Sequence, residues 1–520
     1  MPSADNKRVA KNALALTIRM ILVTIVGLFT SRIVLQALGV ENYGIYGVIS
    51  GVVGMASFLN TSMAGATSRF ITFELGCGNS DKLRKIFSTA LIIHVIIAIV
   101  VTVLAETIGL WFVNNKMNFP EGRMTAVNIL YQFTIISMFV SFTQVPYTAM
   151  IMAYEKMNIY AYFEIINVIL KLLIVYLLLV VSSDRLILYA ALTLAVSILS
   201  ALIYRYYCIR NFKEAKFKFV RDKIILKKML SFSGLDLYRN MCVVARNQSQ
   251  PIILNMFFGV VANAGSSVAY TLTGAIGGLT GSIASAFKPQ IVKQYSINQI
   301  DGMTSVMRRS AQFTLLAYSL LALPMFIEIE QILYLWLGQV PAYSVEFLRL
   351  IIVTAFFYIV INTNETAIHA TGNIKKLSLY TGTLLLFSPF ISYIVLKYWI
   401  TDAGIVYLVN IVISVFVVTL EWYLIKIQIP GFRMRKYAFS ILRSWCSIGV
   451  SFLIVIMIRH FVVAETDLHE FSDTILTISL VIVVSVVVLT SLSILIALNS
   501  DEVVFLRGFV IHRIKNICKA

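Results

Sequence analysis

The sequence predicts an all-α, polytopic membrane protein with about 14 transmembrane helices. Three observations lead to this fold class: 59% of the 520 residues are hydrophobic and only 13% are charged, long apolar runs recur along the whole chain, and Lys and Arg gather in alternate connections. Soluble globular domains contain about 25% charged residues, so the composition excludes that class. A bilayer core of about 30 Å needs about 20 helical residues to cross, and the apolar runs have this length.

Fourteen apolar runs can be assigned as spans, and the longest connection, 209–231, separates six spans from eight. The eighth span is rich in Gly, Ser and Thr, a composition typical of a closely packed or cavity-lining helix. The predicted spans are 12–38, 44–71, 86–109, 125–151, 160–181, 186–208, 232–257, 264–287, 309–328, 344–369, 374–397, 403–425, 439–459 and 473–498.

The basic residues orient these spans. If the N-terminus is cytoplasmic, 31 of the 43 Lys and Arg residues fall on the cytoplasmic side and five on the other. Cytoplasmic connections carry an excess of Lys and Arg, so both termini are predicted to be cytoplasmic. The net charge of +18 then reflects topology, and we expect no nucleic-acid partner.

Two pairs of segments indicate an internal repeat. RIVLQALGVENYG at 32–44 is similar to PIILNMFFGVVANAG at 251–265, which aligns Gly39 with Gly259 at an offset of 220 residues. The segments 64–90 and 284–311 follow in the same order. The repeat predicts two six-helix bundles related by a pseudo-two-fold axis, an architecture typical of transporters. The predicted divisions are 1–208 for the first bundle, 209–231 for a cytoplasmic basic linker, 232–425 for the second bundle, 426–498 for two additional helices and 499–520 for a cytoplasmic tail.

The seventh span carries a polar stripe at helical spacing, with Arg246 near its middle. An ionised side chain at a bilayer centre costs about 2.5–3.5 kcal/mol on insertion scales, so such residues face protein or water. Arg239 has Asp236 within reach on the same helix, and an intrahelical pair is the alternative interpretation there. The polar positions are Asp236, Arg239, Asn240, Arg246, Asn247 and Gln250.

The fifth span has a similar face formed by Glu164, Asn167 and Lys171. No acid lies within reach of Lys171 or Arg246 on its own helix, so each meets an acid from another helix or an anionic ligand in water. We favour an aqueous cationic cavity. Arginine binds phosphate oxygens through two N–H groups and lysine binds them as a point charge, which indicates a phosphate or diphosphate ligand.

No other chemistry is apparent in the sequence. The five Cys and five His residues are scattered without a metal-ligand spacing, and the phosphate-binding motif G-x-x-x-x-G-K-[ST] is absent. The connections are too short for a catalytic domain. We therefore expect a protein that is not an enzyme and uses no cofactor or metal. Its energy would come from an ion gradient, the membrane potential or the substrate gradient.

The segment RMILVTIVGLFTSRIVLQALGVENYGIYGVISGVV at 19–53 resembles the first two helices of Wzx-type polysaccharide (O-antigen) flippases. These belong to the multidrug/oligosaccharidyl-lipid/polysaccharide exporter superfamily. GATSRFITFELG at 65–76 and ILYLWLG at 332–338 are similar to the same group. The resemblance implies transport of undecaprenyl-diphosphate-linked oligosaccharide from the cytoplasmic to the periplasmic leaflet of a bacterial inner membrane, as in lipopolysaccharide synthesis. It also implies a cationic central cavity.

Combined with the stripe, the resemblance suggests roles for particular residues. The expected partners are the lipid-linked oligosaccharide, membrane lipids, and polysaccharide polymerase or assembly proteins. The diphosphate ligands would be Arg246, Lys171 and Arg19, with Arg239 near the entrance. The glycan contacts would be Asn240, Asn247, Gln248, Gln250 and Asn167. The residues that couple transport to protons or sodium would be Asp236 and Glu164.

Three other functions remain open at this stage. A lipid II flippase would also need a cationic cavity. A drug/cation antiporter would need a cavity with net negative charge, which fits this basic stripe less well. A scaffold of a glycan assembly complex would not transport at all, and it predicts that the stripe can be neutralised while export continues.

Overall fold

The computed structural model describes residues 4–76, 79–154, 156–181, 184–219, 234–463 and 471–498. All regular structure in these residues is helical, and the predicted all-α fold class is confirmed. Twelve helices are long and apolar enough to cross a membrane, so the protein is a multi-pass membrane protein. The count of fourteen spans stays a prediction. Two of the twelve candidates are kinked helices, and each of them covers parts of two predicted spans.

The first half of the chain forms seven helices, and the predicted spans over 125–151, 160–181 and 186–208 coincide with three of them to within three residues. The helices are α1 (Ala4–Gly54), α2 (Ser57–Gly76), α3 (Ser80–Leu104) with a π-helical turn (Ala105–Gly109), α4 (Leu110–Lys116), α5 (Met124–Ala153), α6 (Met157–Val180) and α7 (Arg185–Asn211).

The described residues of the second half of the chain form eight helices. Residues 220–231 of the predicted linker and the predicted tail, 499–520, lie outside the described residues. The helices are α8 (Gly234–Ser296), α9 (Ile300–Ile327), α10 (Ile329–Leu337), α11 (Ser344–Ala370), α12 (Gly382–Tyr398) after a π-helical turn (Leu377–Thr381), α13 (Ile405–Gln428), α14 (Met434–Val463) and α15 (Phe471–Leu492) before a π-helical turn (Ser493–Ala497).

A single glycine breaks each of the two longest helices. Gly39 in α1 has φ 76° and ψ 166°, and Gly259 in α8 has φ 72° and ψ −168°. Glycine adopts this region readily because it has no Cβ. The 63 residues of α8 would measure roughly 95 Å as one straight helix, about three bilayer cores. The repeat aligns these two glycines, and their matching conformations support it.

Four glycines on one face of α1 bring its backbone close to α8, and we call them the α1 glycine stripe. They are Gly44, Gly47, Gly51 and Gly54. A Cβ added at Gly44 would lie 2.0 Å from the carbonyl oxygen of Val260, and one added at Gly47 would lie 2.4 Å from Ser267 Oγ. At Gly44 the neighbouring atom is backbone, so only glycine fits there without displacing α8.

A second set of glycines, in the later part of α8, has the opposite environment, and we call it the α8 glycine stretch. It comprises Gly274, Gly277, Gly278 and Gly281. A Cβ added at any of them would meet no atom of the described residues within 4 Å, leaving aside the adjacent backbone of α8 itself. The sequence predicted a helix that is either closely packed or cavity-lining at 264–287, and at these four positions the structure has open space.

The chain forms two compact units. The first comprises Met1–Leu272, Pro341–Ser344 and Ser378–Val409, and the second comprises Thr273–Val340, Val345–Leu377 and Asn410–Ala520. The division into bundles at 1–208 and 232–425 stays a prediction. All of the predicted site residues belong to the first unit.

The second unit contains two fully buried carboxylates. Glu328 accepts hydrogen bonds from Arg459 Nε and Nη2, the latter at 3.1 Å. Glu421 accepts one from Asn364 Nδ2 at 3.1 Å, and the Tyr437 hydroxyl donates to Asn364 Oδ1 at 2.8 Å. Buried carboxylates are costly without such partners, so these contacts help to fix the helix arrangement of this unit.

Candidate cationic cavity

Arg246 lies in the first part of α8 and is only 6% exposed. Its Nε and Nη2 atoms donate to Asn247 Oδ1 at 3.2 and 2.6 Å. The guanidinium also interacts electrostatically with Tyr270 and Arg239. The Ser249 hydroxyl donates to the Arg246 carbonyl at 2.9 Å. This burial agrees with the expectation that Arg246 faces protein or water and not lipid, and its role as a diphosphate ligand stays a prediction.

Lys171 lies near the middle of α6 and is exposed. At 3.6 residues per turn, it shares a helix face with Ile174 and Leu178, which are buried in one cluster with Ala37 of α1. The opposite face of α6 carries the exposed apolar residues Ile166, Ile169, Leu173 and Tyr176. Lys171 therefore lies on the side of α6 that packs against α1, opposite the exposed apolar side. It makes no hydrogen bond or ion pair within the part of the chain that the structure describes.

Glu164 and Asn167 lie on the same face of α6 as Lys171, as their spacing predicted, and both are half-buried. Tyr204 of α7 donates its hydroxyl to Glu164 Oε1 at 3.3 Å. The carboxylate thus contacts α7. The geometry extends the polar face over two turns of α6, with the lysine towards the middle of the helix.

The remaining stripe residues lie in different surroundings. Gln250 is buried and accepts a hydrogen bond from the Tyr270 hydroxyl. Gln248 lies in the packed contact with α1, where its Nε2 would be 2.5 Å from a Cβ added at Gly54. Asn247 is exposed, and Arg239 and Asn240 are half-buried. The side chains of Arg19 in α1 and Asp236 in α8 lie outside the described part of the structure.

The beginning of the polar stripe on α8 packs against α12. A Cβ added at Gly382 would lie 3.3 Å from the Tyr238 ring, 3.5 Å from Cys242 Sγ and 3.6 Å from Arg239 Cα. The hydroxyls of Tyr238 and Thr383 are 2.6 Å apart and hydrogen-bonded. Arg239 thus lies at the contact between two helices, and this packing fixes its backbone.

Sequence reasoning missed an aromatic pair next to Arg246. The Tyr270 and Tyr407 rings lie 6.3 Å apart at 49°, and the Tyr407 hydroxyl is 2.7 Å from Ser266 Oγ. The polar composition of 264–287 marked this helix as unusual. The contact with Tyr407, which belongs to α13, has no signal in the sequence.

Three solved structures share this fold. The lipid II flippase MurJ in an inward closed conformation is 14% identical, with a TM-score of 0.70 over 96% of this chain and 100% of that chain. An inward-facing multidrug resistance MATE family transporter of the MOP superfamily is 14% identical, with a TM-score of 0.62 over 81% and 99%. A MOP superfamily transporter from Pyrococcus furiosus is 14% identical, with a TM-score of 0.58 over 81% and 96%. The protein therefore has the fold of MOP superfamily transporters.

The family follows from the sequence comparison. The family model described as "Polysaccharide biosynthesis protein" matches residues 9–294, more than half of the chain, so the protein belongs to that family. The polysaccharide branch expected from the helix 1 and helix 2 motifs is confirmed at this level. No curated protein matches the chain.

Proposed function

We propose that the protein is a flippase that moves undecaprenyl-diphosphate-linked oligosaccharide from the cytoplasmic to the periplasmic leaflet of a bacterial inner membrane. Family membership and the transporter fold support a lipid-linked flippase in general. The observation that carries the finer proposal is the interior-facing, exposed Lys171 in the same unit as the buried Arg246. Two cations inside a membrane protein are costly, and an anionic substrate would offset that cost. In this proposal both termini are cytoplasmic.

Arg246 is suited to hold the diphosphate. A phosphate group that binds arginine side-on uses the Nε and Nη2 donors together, and here both atoms donate to the amide oxygen of Asn247. Asn247 is exposed and can rotate away at little cost. We infer that its oxygen stands where a phosphate oxygen binds, and that Lys171 adds a point charge.

Alternating access requires that α1 and α8 separate. In this structure they are joined by the α1 glycine stripe. Two asparagines add a reciprocal contact: the Asn118 N–H donates to Asn255 Oδ1 at 2.7 Å, and Asn255 Nδ2 donates to the Asn118 carbonyl at 2.9 Å. With a cytoplasmic N-terminus, both contacts belong to the periplasmic half. We call this contact between α1 and α8 the α1–α8 seam. It is closed in this conformation, and the glycan would leave when it opens.

We infer further that transport uses a proton or sodium gradient through Glu164 and Asp236. Glu164 is half-buried and shares its face with Lys171, so its protonation would change the local charge of the cavity. Measurement of transport at several pH values and sodium concentrations in the double variant Glu164→Gln/Asp236→Asn checks the idea. Unchanged dependence on both ions would exclude these residues from coupling.

The experiment for the main proposal measures where lipid-linked oligosaccharide accumulates in cells that carry Arg246→Ala, Lys171→Ala or Arg246→Lys. We expect both alanine variants to reach the membrane in normal amounts while the lipid-linked glycan accumulates on the cytoplasmic face. Arg246→Lys should restore transport in part, since it keeps the charge and loses the planar fork. The matched control is Arg349→Ala, because Arg349 is a partly exposed arginine 3.9 Å from Glu330. Normal export in the alanine variants would refute the proposal and favour the scaffold.

The second candidate function is transport of lipid II, favoured by the similarity to the MurJ fold over 96% of the chain. Its substrate is also a diphosphate-linked lipid, so the cavity alone does not separate the two functions. The identity of the lipid that accumulates in the Arg246→Ala strain does. Accumulation of a peptidoglycan precursor in place of an oligosaccharide would select this candidate.

A further inference from the structure

We propose that Tyr270 is a sugar-stacking residue that binds the saccharide unit attached directly to the diphosphate. This inference rests on the proposed function and adds a specificity-determining position to it. It is drawn from the surroundings of the tyrosine ring, which no sequence pattern indicated.

The orientation of the ring is fixed by its neighbours. The Tyr270 hydroxyl donates to Oε1 of the buried Gln250. On another side lies the ring of Tyr407, which is itself held by a hydrogen bond to Ser266. The polar end of Tyr270 is therefore already used, and what it presents to a ligand is the carbon surface of the ring.

That surface is open, although the adjoining residues are not. Tyr270 is 39% exposed, whereas Ala269 is 0% and Leu272 is 6% exposed. The hydroxyl ends on the buried amide of Gln250, which lies one helical turn after the buried Arg246 on α8. A cation beside lipid would be expensive, so we infer that the open side of the ring borders water inside the protein.

The chemistry of the ring selects a sugar over a phosphate. The face of an aromatic ring carries the negative part of its quadrupole, so it repels an anion and attracts the positively polarised C–H groups on one face of a pyranose. Arg246 has the opposite preference. Because the two side chains are neighbours, a diphosphate on Arg246 brings its first sugar to Tyr270, and the ring then discriminates between sugars by the C–H face that they offer.

The test uses binding of two kinds of probe to the purified full-length protein. One probe is farnesyl diphosphate, and the other is farnesyl diphosphate carrying one glucose, galactose or N-acetylglucosamine. For at least one of the three sugars, we expect Tyr270→Leu to weaken binding about three- to tenfold, the range for one aromatic contact. Binding of farnesyl diphosphate should stay within about twofold. Tyr270→Phe should keep most of the sugar-dependent affinity, because it keeps the ring.

Two further variants separate the possible failures. Arg246→Ala should weaken both kinds of probe, and Tyr270→Trp should retain sugar binding and change its fluorescence only with the sugar-bearing probes. Should Tyr270→Leu weaken both kinds of probe equally, or neither, the stacking role is refuted while the diphosphate site stands. If the wild-type protein binds none of the probes, the proposed function fails and this inference fails with it.

Discussion

Two glycine-rich regions of this protein have opposite surroundings. At each member of the α1 glycine stripe an added Cβ would lie less than 3.0 Å from an atom of α8, whereas in the α8 glycine stretch it would meet none of the described neighbouring atoms within 4 Å. The comparison teaches that one residue type can serve close helix packing in one region and leave space in another.

The largest effect should come from locking the α1 glycine stripe to α8. An ideal Cβ at Gly47 lies 3.8 Å from Ser267 Cβ, which is the mean Cβ–Cβ separation in disulfides, about 3.8 Å. We expect the double variant Gly47→Cys/Ser267→Cys to lose transport completely under oxidising conditions and to recover on reduction. Each single cysteine variant serves as the control. Transport by fully crosslinked protein would show that this seam need not open.

The second-largest effect should come from replacing a glycine by alanine in each of the two regions. Gly44→Ala places a Cβ 2.0 Å from the backbone oxygen of Val260, and overpacking of this kind costs about 1–3 kcal/mol or more. Gly277→Ala has no such neighbour, and alanine in a helix is favoured over glycine by up to about 1 kcal/mol. Thermal unfolding of the purified variants should therefore shift in opposite directions. Equal shifts would contradict the assignment of one region as packed and the other as open.

A third prediction tests whether the open space beside the α8 glycine stretch is used in transport. On the hypothesis that the open space at this position belongs to the substrate path, Gly277→Leu should fold normally but reduce transport severalfold. The control is Ile169→Phe, an enlargement on the lipid-facing side of α6. If both variants transport normally at normal protein levels, the space beside the α8 glycine stretch faces lipid.

The smallest effect concerns the Arg123–Asp184 ion pair, which also contacts Asn42 just before the α1 glycine stripe. Arg123 hydrogen-bonds Asp184 at 2.6 and 3.2 Å and Asn42 in α1 at 2.8 Å, and its hydrogen bond lowers the pKa of the Asp184 carboxyl. A lowered pKa gives stability above the ordinary pKa that is lost as pH falls through the folded-state value. We expect Asp184→Asn to cost at most about 1 kcal/mol at neutral pH, since the pair is partly exposed. The cost should vanish as the pH falls through the folded-state pKa, and unfolding measured from pH 7 down to about pH 2 checks this.

The sequence predicted most helices closely, because crossing a bilayer requires long apolar runs, which are visible without any knowledge of neighbours. The predicted span 44–71 was wrong as one continuous helix, since α1 ends at Gly54 and α2 begins at Ser57. The same holds for the inward face of α6, since helical spacing alone aligns Glu164, Asn167 and Lys171. The aligned glycines Gly39 and Gly259 were also visible, because a repeated backbone requirement leaves a repeated residue.

Contacts between helices were not predictable in this way. A single sequence does not state which helix lies opposite Gly44 or which ring lies next to Tyr270. Neither the packing of the α1 glycine stripe nor the pair of Tyr270 and Tyr407 could therefore be inferred. Glu328 and Glu421 were missed for the same reason. Their partners come from helices that are distant along the chain, and only packing makes these carboxylates buried.

The most direct test of the central claim asks whether Lys171 borders water. In a background without the five native cysteines, Lys171→Cys and Ile169→Cys are treated with a membrane-impermeant maleimide in inverted membrane vesicles. The thiolate is the reactive form, so a cysteine in a water-filled cavity reacts and one facing lipid does not. We predict labelling of Lys171→Cys and little labelling of Ile169→Cys. Labelling of Ile169→Cys with protection of Lys171→Cys would contradict the cationic cavity.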